Sequence, residues 1–307
     1  MIKYDKIIVD TYQYYHRVAC TTISKKAQDI VKVYISNINK LLNSTYGEVY
    51  LLFDPSASAN KQKTASRKET CKAYKENRKK FEMSAEGKLK MEVMDLLGST
   101  LLLYPKHRVH LYQHPEYEAD DYVEKLTASG NCLLVTTDED WARYLVPNRV
   151  DMLISGLVPE EANLFTSKNF EEKYGFKPTI ATVSIWKALM SDESDNIMGV
   201  YKNSKHIVLK EAVDETVEAL KKIAEENISV DVASYMFHNG QGHFTKVKQL
   251  LELSCTEKSM EKLNESFSNN LQLIGSLIPN SCDIKIENLE VKLDIFKTSK
   301  PFSLNRR

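Results

Sequence analysis

The sequence predicts an α/β fold with a mainly parallel β-sheet flanked by helices. Its N-terminal half alternates short, almost continuously apolar runs with longer segments whose apolar residues recur at helical spacing. Such runs are typical of strands buried on both faces, and their alternation with helices is typical of a parallel sheet. After about residue 180 the strand signals fade and the pattern becomes helical.

Four apolar runs rich in β-branched or aromatic residues are predicted as strands: Lys6–Asp10, Glu48–Asp54, Ser99–Tyr104 and Asn131–Asp138. Residues 27–42 are predicted as a helix, because their apolar side chains recur at three- and four-residue intervals. Residues 116–129 follow the same pattern and are also predicted as a helix. The run at 109–115 is predicted as a strand that leads into a loop.

Residues from about 60 to 98 are predicted as a helical insertion between strands. The segment 66–81 is strongly basic, and the segment 86–97 is amphipathic. Further helices are predicted towards the C-terminus at 182–190, 206–226 and 247–254. We therefore expect a catalytic core at 1–185 and a helix-rich region at 186–307.

Charge is balanced overall but unevenly distributed. The chain has 42 Lys and Arg against 42 Asp and Glu, a net charge of zero. Between Lys61 and Lys80, however, nine Lys or Arg accompany two Glu, a local excess of seven positive charges. A basic segment of this kind is suited to binding a polyanion. The net charge of zero therefore does not exclude nucleic acid as a ligand.

The apolar runs and the cysteines predict a cytoplasmic protein rather than a membrane or secreted one. No apolar run approaches the ~20 residues that span a bilayer, and an aspartate interrupts the apolar stretch at the N-terminus. The five cysteines are scattered without a CxxC pair, which indicates reduced thiols.

Nine carboxylates lie at the ends of apolar runs. They are Asp10, Asp54, Glu118, Asp120, Asp121, Asp138, Asp140, Asp192 and Asp195. Gathered in one pocket they would repel one another and lose hydration, which a fold tolerates when cations neutralise them. Their oxygen atoms suit Mg²⁺ or Mn²⁺ rather than zinc.

The placement of these acids indicates convergence. Asp10, Asp54 and Asp138 each follow a predicted strand, and the carboxyl ends of parallel strands meet at one edge of a sheet. Glu118 and Asp121 are three residues apart and share a helix face, with Asp120 beside them. Any one acid also suits a solvated helix cap, but the occurrence of all nine at the ends of apolar runs favours a common site.

The motifs that carry these acids, taken together and in order, resemble a known family. They are IIVD, YLLFDP, YEADDYV, LLVTTDEDW and SDESDNIMGV, with Arg17 seven residues after Asp10 and AYKENR at 73–78. The set is similar to the bacteriophage and bacterial 5′ nucleases, the flap endonuclease and 5′→3′ exonuclease family.

This resemblance implies a PIN-like core, a helical arch at about 60–98 and a helix–three-turn–helix element that grips duplex DNA. It also implies two Mg²⁺ or Mn²⁺ ions. The first ion would be held mainly by Asp10, Asp54, Glu118, Asp120 and Asp121. The second would be held by Asp138, Asp140, Asp192 and Asp195. Asp138 and Asp140 are accordingly also predicted as catalytic residues.

The chain departs from the family pattern in its last motif. Ser191 replaces a glycine, Met198 replaces a proline, and 201–204 replaces a following G-x-G. Because those glycines let backbone amides approach phosphate, we expect duplex anchoring to depend more on Lys202 and Lys205.

The basic segment supplies the remaining predicted contacts. Lys75 and Arg78 share a helix face and match the family's Y-K-x-N-R, so they are predicted to bind the scissile phosphate and stabilise developing charge. Predicted DNA contacts nearby are Lys68, Lys72 and Tyr74, the last by stacking on a base. A solvated lysine-rich helix is the alternative. Arg17 either contacts phosphate or braces the acidic pocket.

The resemblance implies a nuclease that cuts DNA at 5′ ends, recessed 5′ ends and 5′ flaps, together with RNA primers in RNA–DNA hybrids. It also implies a monomer with a replication polymerase or single-strand-binding protein as partner, in host cytoplasm if phage-encoded. The alternatives are a PIN-like single-strand ribonuclease and a non-catalytic DNA-binding scaffold. His110 and His114 leave a zinc site as a minor alternative.

Overall fold

The structure is a computed structural model, and it describes residues 4–45, 47–54, 84–101, 108–113, 118–157, 159–160, 163–190, 197–203, 210–254 and 256–274. These residues form a six-stranded sheet. Its strands are β1 (Lys6–Asp10), β2 (Glu48–Phe53), β3 (Val109–Gln113), β4 (Cys132–Val135), β5 (Val150–Leu153) and β6 (Leu164–Phe165). The strand order is β3-β2-β1-β4-β5-β6, and only the β5–β6 pair within this sheet is antiparallel.

Helices surround the sheet and make up most of the described C-terminal part. They are α1 (Thr11–Thr21), α2 (Ala27–Ser44), α3 (Ala85–Leu101), α4 (Val123–Thr127), α5 (Ser167–Tyr174), α6 (Ile180–Met190), α7 (Val200–Asn203), α8 (Lys210–Glu225), α9 (Val230–Asn239), α10 (Thr245–Ser254) and α11 (Glu257–Ile274). Short 3₁₀ helices cover Ala119–Tyr122, Glu139–Tyr144 and Gly242–Phe244. Among the helices in these ranges, none is long and apolar enough to cross a membrane.

The three central strands bring acids to one edge of the sheet. β1 lies between β2 and β4, with Val9 paired to Leu51 on one side and to Val135 on the other. Asp10 ends β1, and Asp54 directly follows β2. The three parallel strands therefore finish at the same edge, as the sequence predicts.

Alternate residues of the central strands enter two separate cores. Ile7 and Val9 face the side on which α1, α2 and α3 pack. Ile8 faces the opposite side, which it shares with Trp141 and the C-terminal helices. This two-sided burial explains why the strand sequences are apolar throughout rather than alternating.

Helix α6 is the centre of the C-terminal part. It packs against the 3₁₀ helix Glu139–Tyr144 and against α8, α9 and α11. Asn270 of α11 is buried, and its side-chain amide donates to the backbone oxygens of Ala188 (2.9 Å) and Met198 (3.0 Å). This amide fixes the chain on both sides of the last predicted metal motif.

Three predictions of secondary structure need correction. The strand predicted at Ser99–Tyr104 is wrong in its described part, because Ser99–Leu101 complete α3, whereas the strand predicted within 109–115 is confirmed as β3. A short apolar run suits a helix end and a strand equally well. Strands β5 and β6 were not predicted. The predicted helix at 116–129 is shorter, since Glu118 caps a 3₁₀ turn that leads into α4.

The second helix of the predicted insertion extends into the core. Val93, Met94 and Leu97 of α3 are buried with residues of α2. The basic helix of the insertion, at 66–81, lies outside the described residues. The structure thus describes the part of the insertion that packs against the sheet domain.

Candidate metal centre

Asp10 connects the first strand to the first helix. Its carboxylate Oδ1 accepts hydrogen bonds from the backbone amides of Tyr12 (3.1 Å) and Gln13 (3.0 Å), so it is the N-cap of α1. The other oxygen accepts from the hydroxyl of Thr136 (3.2 Å). Asp10 is buried. Backbone amides at a helix start stabilise a carboxylate, which fixes this acid at the sheet edge.

Asp54 and Asp120 are positioned from the neighbouring elements. Asp54 Oδ1 accepts from the backbone amide of Ala119 at 3.1 Å, which joins the end of β2 to the following 3₁₀ turn. Asp120 Oδ1 accepts from the indole nitrogen of the buried Trp141. Trp141 belongs to the 3₁₀ helix after β4, so this contact joins Asp120 to the segment that also carries Asp138 and Asp140.

Asp138 is held by the same threonine that binds Asp10. The backbone amide of Asp138 donates to Thr136 Oγ1 at 3.0 Å, and its carboxylate caps the amide of Asp140 at 3.0 Å. Thr136 is completely buried. It therefore ties the end of β1 to the turn that follows β4.

Electrostatics shows that Asp10, Asp54, Asp120 and Asp138 form one group, the four-carboxylate cluster. Burial raises the pKa of Asp10 to about 7, with the charges of Asp54 and Asp138 adding to the effect. Burial also raises the pKa of Asp120 well above its ordinary value, reinforced by Asp138, Asp10 and Asp54. The neighbouring acids thus make ionisation of Asp10 and of Asp120 less favourable.

The cluster has the chemistry of a divalent-cation site. Its donors are carboxylate oxygens, and a bound cation would offset the repulsion that raises these pKa values. In the described part of the chain no group of three Asp, Glu, His or Cys side chains is yet arranged to hold one ion. An ion would therefore have to draw the carboxylates together.

Glu118 and Asp121 make a different set of contacts. The backbone amide of Glu118 donates to Asp121 Oδ2 at 2.9 Å, and the Glu118 side chain accepts from the backbone amide of Asp121. This reciprocal capping box explains their three-residue spacing. Their predicted role as ligands of the first ion stays a prediction.

Asp140 is paired with cations. Its carboxylate contacts the ammonium of Lys187, and its second oxygen lies 3.8 Å from Arg143 Nη2. The sequence reasoning singled out neither Lys187 nor Arg143. The signal was present for Lys187, because it is the single charged residue in the apolar helix sequence IATVSIWKALM.

The neighbouring Glu139 points to another partner. Its carboxylate accepts hydrogen bonds from Lys173 Nζ (2.7 Å) and from the Tyr174 hydroxyl, both of α5. Helix α5 therefore holds Glu139, while α6 holds the adjacent Asp140. The acidic turn at 138–140 is fastened from two helices.

Arg17 of α1 lies beside the cluster with most of its guanidinium enclosed. Its Nη1 donates weakly to the backbone oxygen of Gly156 (3.5 Å), and it interacts electrostatically with Asp10. Its Nε and Nη2 are buried and have no hydrogen-bond partner among the described residues. Its predicted roles, phosphate contact or support of the acidic pocket, stay predictions.

Two further side chains near the cluster were missed by the sequence reasoning. Burial raises the pKa of the Tyr12 hydroxyl, and the charges of Asp54, Asp95 and Asp10 add to this effect. Lys90 of α3 places its ammonium 4.3 Å from the centre of the Tyr12 ring. Helix α3 therefore brings a cation close to the acidic edge.

Several predicted site residues lie outside the described ranges. They are Lys68, Lys72, Tyr74, Lys75, Arg78, Asp192, Asp195 and Lys205, together with His114 of the zinc alternative. The backbone of Lys202 belongs to α7. His110 lies on β3, where its ring stacks on Tyr50 at 4.7 Å and its Nε2 is 3.4 Å from Glu48.

Residues 6–175 match the family described as 5′-3′ exonuclease, N-terminal resolvase-like domain. The DNA polymerase I of Mycobacterium leprae is 27% identical over 205 residues, which cover 62% of this chain and 21% of the polymerase. The chain thus spans about a fifth of the length of that relative.

Two solved structures have a similar fold. The zinc-bound 5′-exonuclease of bacteriophage T5 has a TM-score of 0.56 and 19% identity, covering 90% of this chain and 95% of its own. A bacteriophage T5 flap endonuclease in complex with DNA and metal ions has a TM-score of 0.52 and 19% identity, covering 91% and 95%. These likenesses confirm the predicted fold, a mainly parallel sheet with a helix-rich C-terminal region.

Proposed function

Because this chain belongs to the 5′-3′ exonuclease family, we propose that it is a metal-dependent 5′ nuclease that hydrolyses phosphodiester bonds of DNA. The observation that carries the proposal is the four-carboxylate cluster at the carboxyl edge of the sheet. Burial, and then the charges of neighbouring acids, raise the pKa of Asp10 and of Asp120, so a bound cation would offset the repulsion in this site. Phosphodiester hydrolysis is chemistry that divalent ions in oxygen-ligand sites support.

Two Mg²⁺ or Mn²⁺ ions are proposed. Asp10, Asp54 and Asp120 would hold the first, with Glu118 and Asp121 completing the set. Asp138 and Asp140 would hold the second with Asp192 and Asp195. When bound, such ions supply a water nucleophile at neutral pH and neutralise charge on the phosphate and the leaving oxygen.

The chain's own residues orient this site. Thr136 bonds both to Asp10 and to the amide of Asp138, which keeps ligands of the two proposed ions in fixed relation. Trp141 fixes Asp120 by its indole N–H and, being fully buried, helps to exclude water from that side. Lys75 and Arg78 are proposed to contact the scissile phosphate and stabilise its developing charge.

The proposed substrates are nucleic-acid strands with a 5′ end. They are 5′ flaps and recessed 5′ ends of DNA, and RNA primers in RNA–DNA hybrids. The local excess of positive charge between Lys61 and Lys80 supports binding of a phosphate backbone. Arg17, Lys68, Lys72, Tyr74, Lys202 and Lys205 are proposed as additional DNA contacts. A catalytic core at 1–185 and a DNA-binding region at 186–307 remain the proposed division of the chain.

The proposed setting is replication or repair in the cytoplasm, which is the host cytoplasm for a phage protein. A monomer that works with a replication polymerase or a single-strand-binding protein suits a family that includes an exonuclease region of DNA polymerase I. These partners rest on the family relationship and on the enzyme's proposed substrates.

The experiment is a cleavage assay on 5′-labelled flap duplex, nicked duplex and single-stranded RNA, with Mg²⁺ and with chelator. We expect Mg²⁺-dependent cuts at or near the 5′ end or the flap junction. Asp138→Asn/Asp140→Asn should lose cleavage and keep DNA binding, whereas Asp231→Asn, on the exposed side of α9, should cleave normally. A 3′→5′ product ladder contradicts the proposal. Cleavage of RNA alone would indicate a PIN-like ribonuclease, and binding without cleavage a scaffold.

A further inference from the structure

Lys187 is a cation placed where the sequence is otherwise apolar. It is the single charged residue of α6, and only 14% of its side chain is exposed. A buried ammonium needs an anionic partner, because desolvation disfavours its charged form. Its partner is Asp140, whose Oδ1 it contacts directly.

Asp140 is enclosed by positive charge. Arg143 Nη2 lies 3.8 Å from the second carboxylate oxygen, and Arg143 Nε donates to the backbone oxygen of Asp140 at 2.8 Å. Only 10% of the Asp140 side chain is exposed. The adjacent Glu139 is bound by Lys173 and Tyr174 of α5, and its charge also interacts with Lys187 without a direct contact.

The acids at the sheet edge therefore differ in their surroundings. In the four-carboxylate cluster, neighbouring charges of the same sign act on Asp10 and Asp120. The Asp140 carboxylate instead contacts two cations, Lys187 of α6 and Arg143 of the 3₁₀ helix, while the Asp138 carboxylate binds the backbone amide of Asp140. A divalent ion gains from neutralising the cluster, but at Asp140 it meets an ammonium already in contact with the carboxylate.

We propose that Lys187 is an internal counter-cation that holds Asp140 in the metal-free protein and competes with the second divalent ion for its carboxylate. The inference rests on the proposed function and deepens it. The protein would bind one ion strongly at the cluster and a second ion weakly. Strong binding of the second ion would then require additional anionic ligands, which the phosphates of a bound DNA strand provide.

The chemistry of lysine suits this role. Its compact ammonium sits on a flexible four-carbon stem, so it can withdraw from a carboxylate without moving the helix that carries it. Two cations competing for one buried carboxylate repel each other with little screening by salt. Lys187 is thus a positioning residue, since it acts through Asp140 and not on the substrate.

The test is a calorimetric titration of the metal-free full chain with Mn²⁺ in the absence of DNA. It compares the wild type with Lys187→Met, Lys187→Gln and Lys187→Arg. Removing the competing charge should tighten the second Mn²⁺ site by about 10-fold or more, on the scale known for groups that contact metal ligands. The first site should be unchanged, and Lys187→Arg should resemble the wild type.

Lys173→Met is the control, because Lys173 pairs with the neighbouring Glu139 at a half-exposed position. It should leave both Mn²⁺ affinities as in the wild type. The melting temperature without metal should also fall in Lys187→Met, since Asp140 then loses a buried partner, and adding Mn²⁺ should raise it more than in the wild type.

The outcomes separate the two proposals. If the wild type binds Mn²⁺ but neither neutral variant at position 187 tightens the second site, the role of Lys187 is refuted and the nuclease proposal stands. If second-site affinity falls in these variants, Lys187 supports metal binding instead of opposing it, and the inference is also overturned. A wild type that binds no Mn²⁺ would contradict the proposed function itself.

Discussion

The two edges of the central sheet differ in what their charged side chains contact. At the amino edge, where the strands begin, cations are matched to backbone carbonyl groups. Lys6 donates to the oxygens of Leu126 (3.0 Å) and Ser129 (3.1 Å), at the end of α4. Arg108 donates to the backbone oxygens of Leu42, in the last turn of α2, and of Thr45 and Gly47, which follow that helix. These carbonyl groups have no helical partner, so the cations satisfy them.

At the carboxyl edge the acids are set against one another. The pKa of Asp10 is raised to about 7 and that of Asp120 is raised well above its ordinary value, in both cases first by burial and then by other acids. The hydrogen bonds of the amino edge therefore stabilise the fold. The repulsion between acids at the carboxyl edge destabilises the metal-free fold and is explained by the proposed metal site. Substitutions at the two edges should therefore have opposite consequences.

The largest effect should come from Asp10→Asn. Loss of a proposed metal ligand should lower single-turnover cleavage of flap DNA by about 10³-fold or more. Without metal, the same variant should be more stable than the wild type, because asparagine still caps α1 while the repulsion from Asp54 and Asp138 disappears. Cleavage kinetics and urea unfolding in chelator measure the two effects. A variant that loses stability without metal would contradict the electrostatic cost assigned to this edge.

Arg108→Ala tests the opposite edge. Several carbonyl groups lose a charged donor at once, so the free energy of unfolding should fall by about 2–4 kcal/mol. Metal affinity and cleavage at a temperature where the variant is folded should not change. The control is Lys168→Ala, an exposed pair with Glu172, which should change stability by less than about 1 kcal/mol. Equal losses in the two variants would show that the amino edge is not a stabilising feature.

Thr136→Val should have an intermediate effect. The hydroxyl binds Asp10 and receives the amide of Asp138, so its loss should weaken Mn²⁺ binding by about 10–100-fold. Thr136→Ser keeps the hydroxyl and should retain most of the affinity. Calorimetry with both variants provides the comparison. If Ser and Val behave alike, the methyl group and not the hydroxyl is what matters at this position.

The smallest effect should be the pH dependence of the metal-free protein. The folded pKa of Asp10 is about 7 against an ordinary value of 3.8, so the folded state binds more protons between these values. Stability should therefore fall as pH rises through this window, and the melting temperature should drop by at least about 4 °C between about pH 5.5 and 8.

Asp10→Asn provides the control for this pH effect. The variant should show a clearly smaller drop in melting temperature over the same range. Burial lowers the pKa of His16, which acts in the opposite direction near its ordinary value, but His16 is present in both proteins and cancels in the difference. An identical drop in both proteins would remove Asp10 as its cause.

The sequence predicts the central strands and their acids well, because apolar runs that end in Asp combine two independent signals. It also predicts β3 correctly, within the run at 109–115, but it wrongly predicts a further strand at Ser99–Tyr104. Ser99–Leu101 are helical, since the apolar residues at this point continue the buried face of α3. Nothing in a run of three or four apolar residues distinguishes the last turn of a helix from the start of a strand.

The sequence predicts which acids belong to the candidate site, but it does not predict which side chains contact them. The three-residue spacing of Glu118 and Asp121 is that of a capping box, since Glu118 is the N-cap of the 3₁₀ helix and Asp121 its third residue. Lys187 and Asp140 are 47 residues apart (187 minus 140), so no local pattern joins them. Pairing of that kind depends on how α6 packs against the turn after β4, which only the folded chain defines.

The most direct test of the account is the rise in melting temperature when Mn²⁺ is added to metal-free protein. The wild type should show a large rise, Arg108→Ala an equal rise from a lower starting point, and Asp10→Asn/Asp120→Asn almost none. This pattern would show that repulsion between acids at the carboxyl edge destabilises the metal-free protein and that bound Mn²⁺ removes this repulsion. An equal rise in all three proteins would mean that Mn²⁺ binds elsewhere, and the central claim would fail.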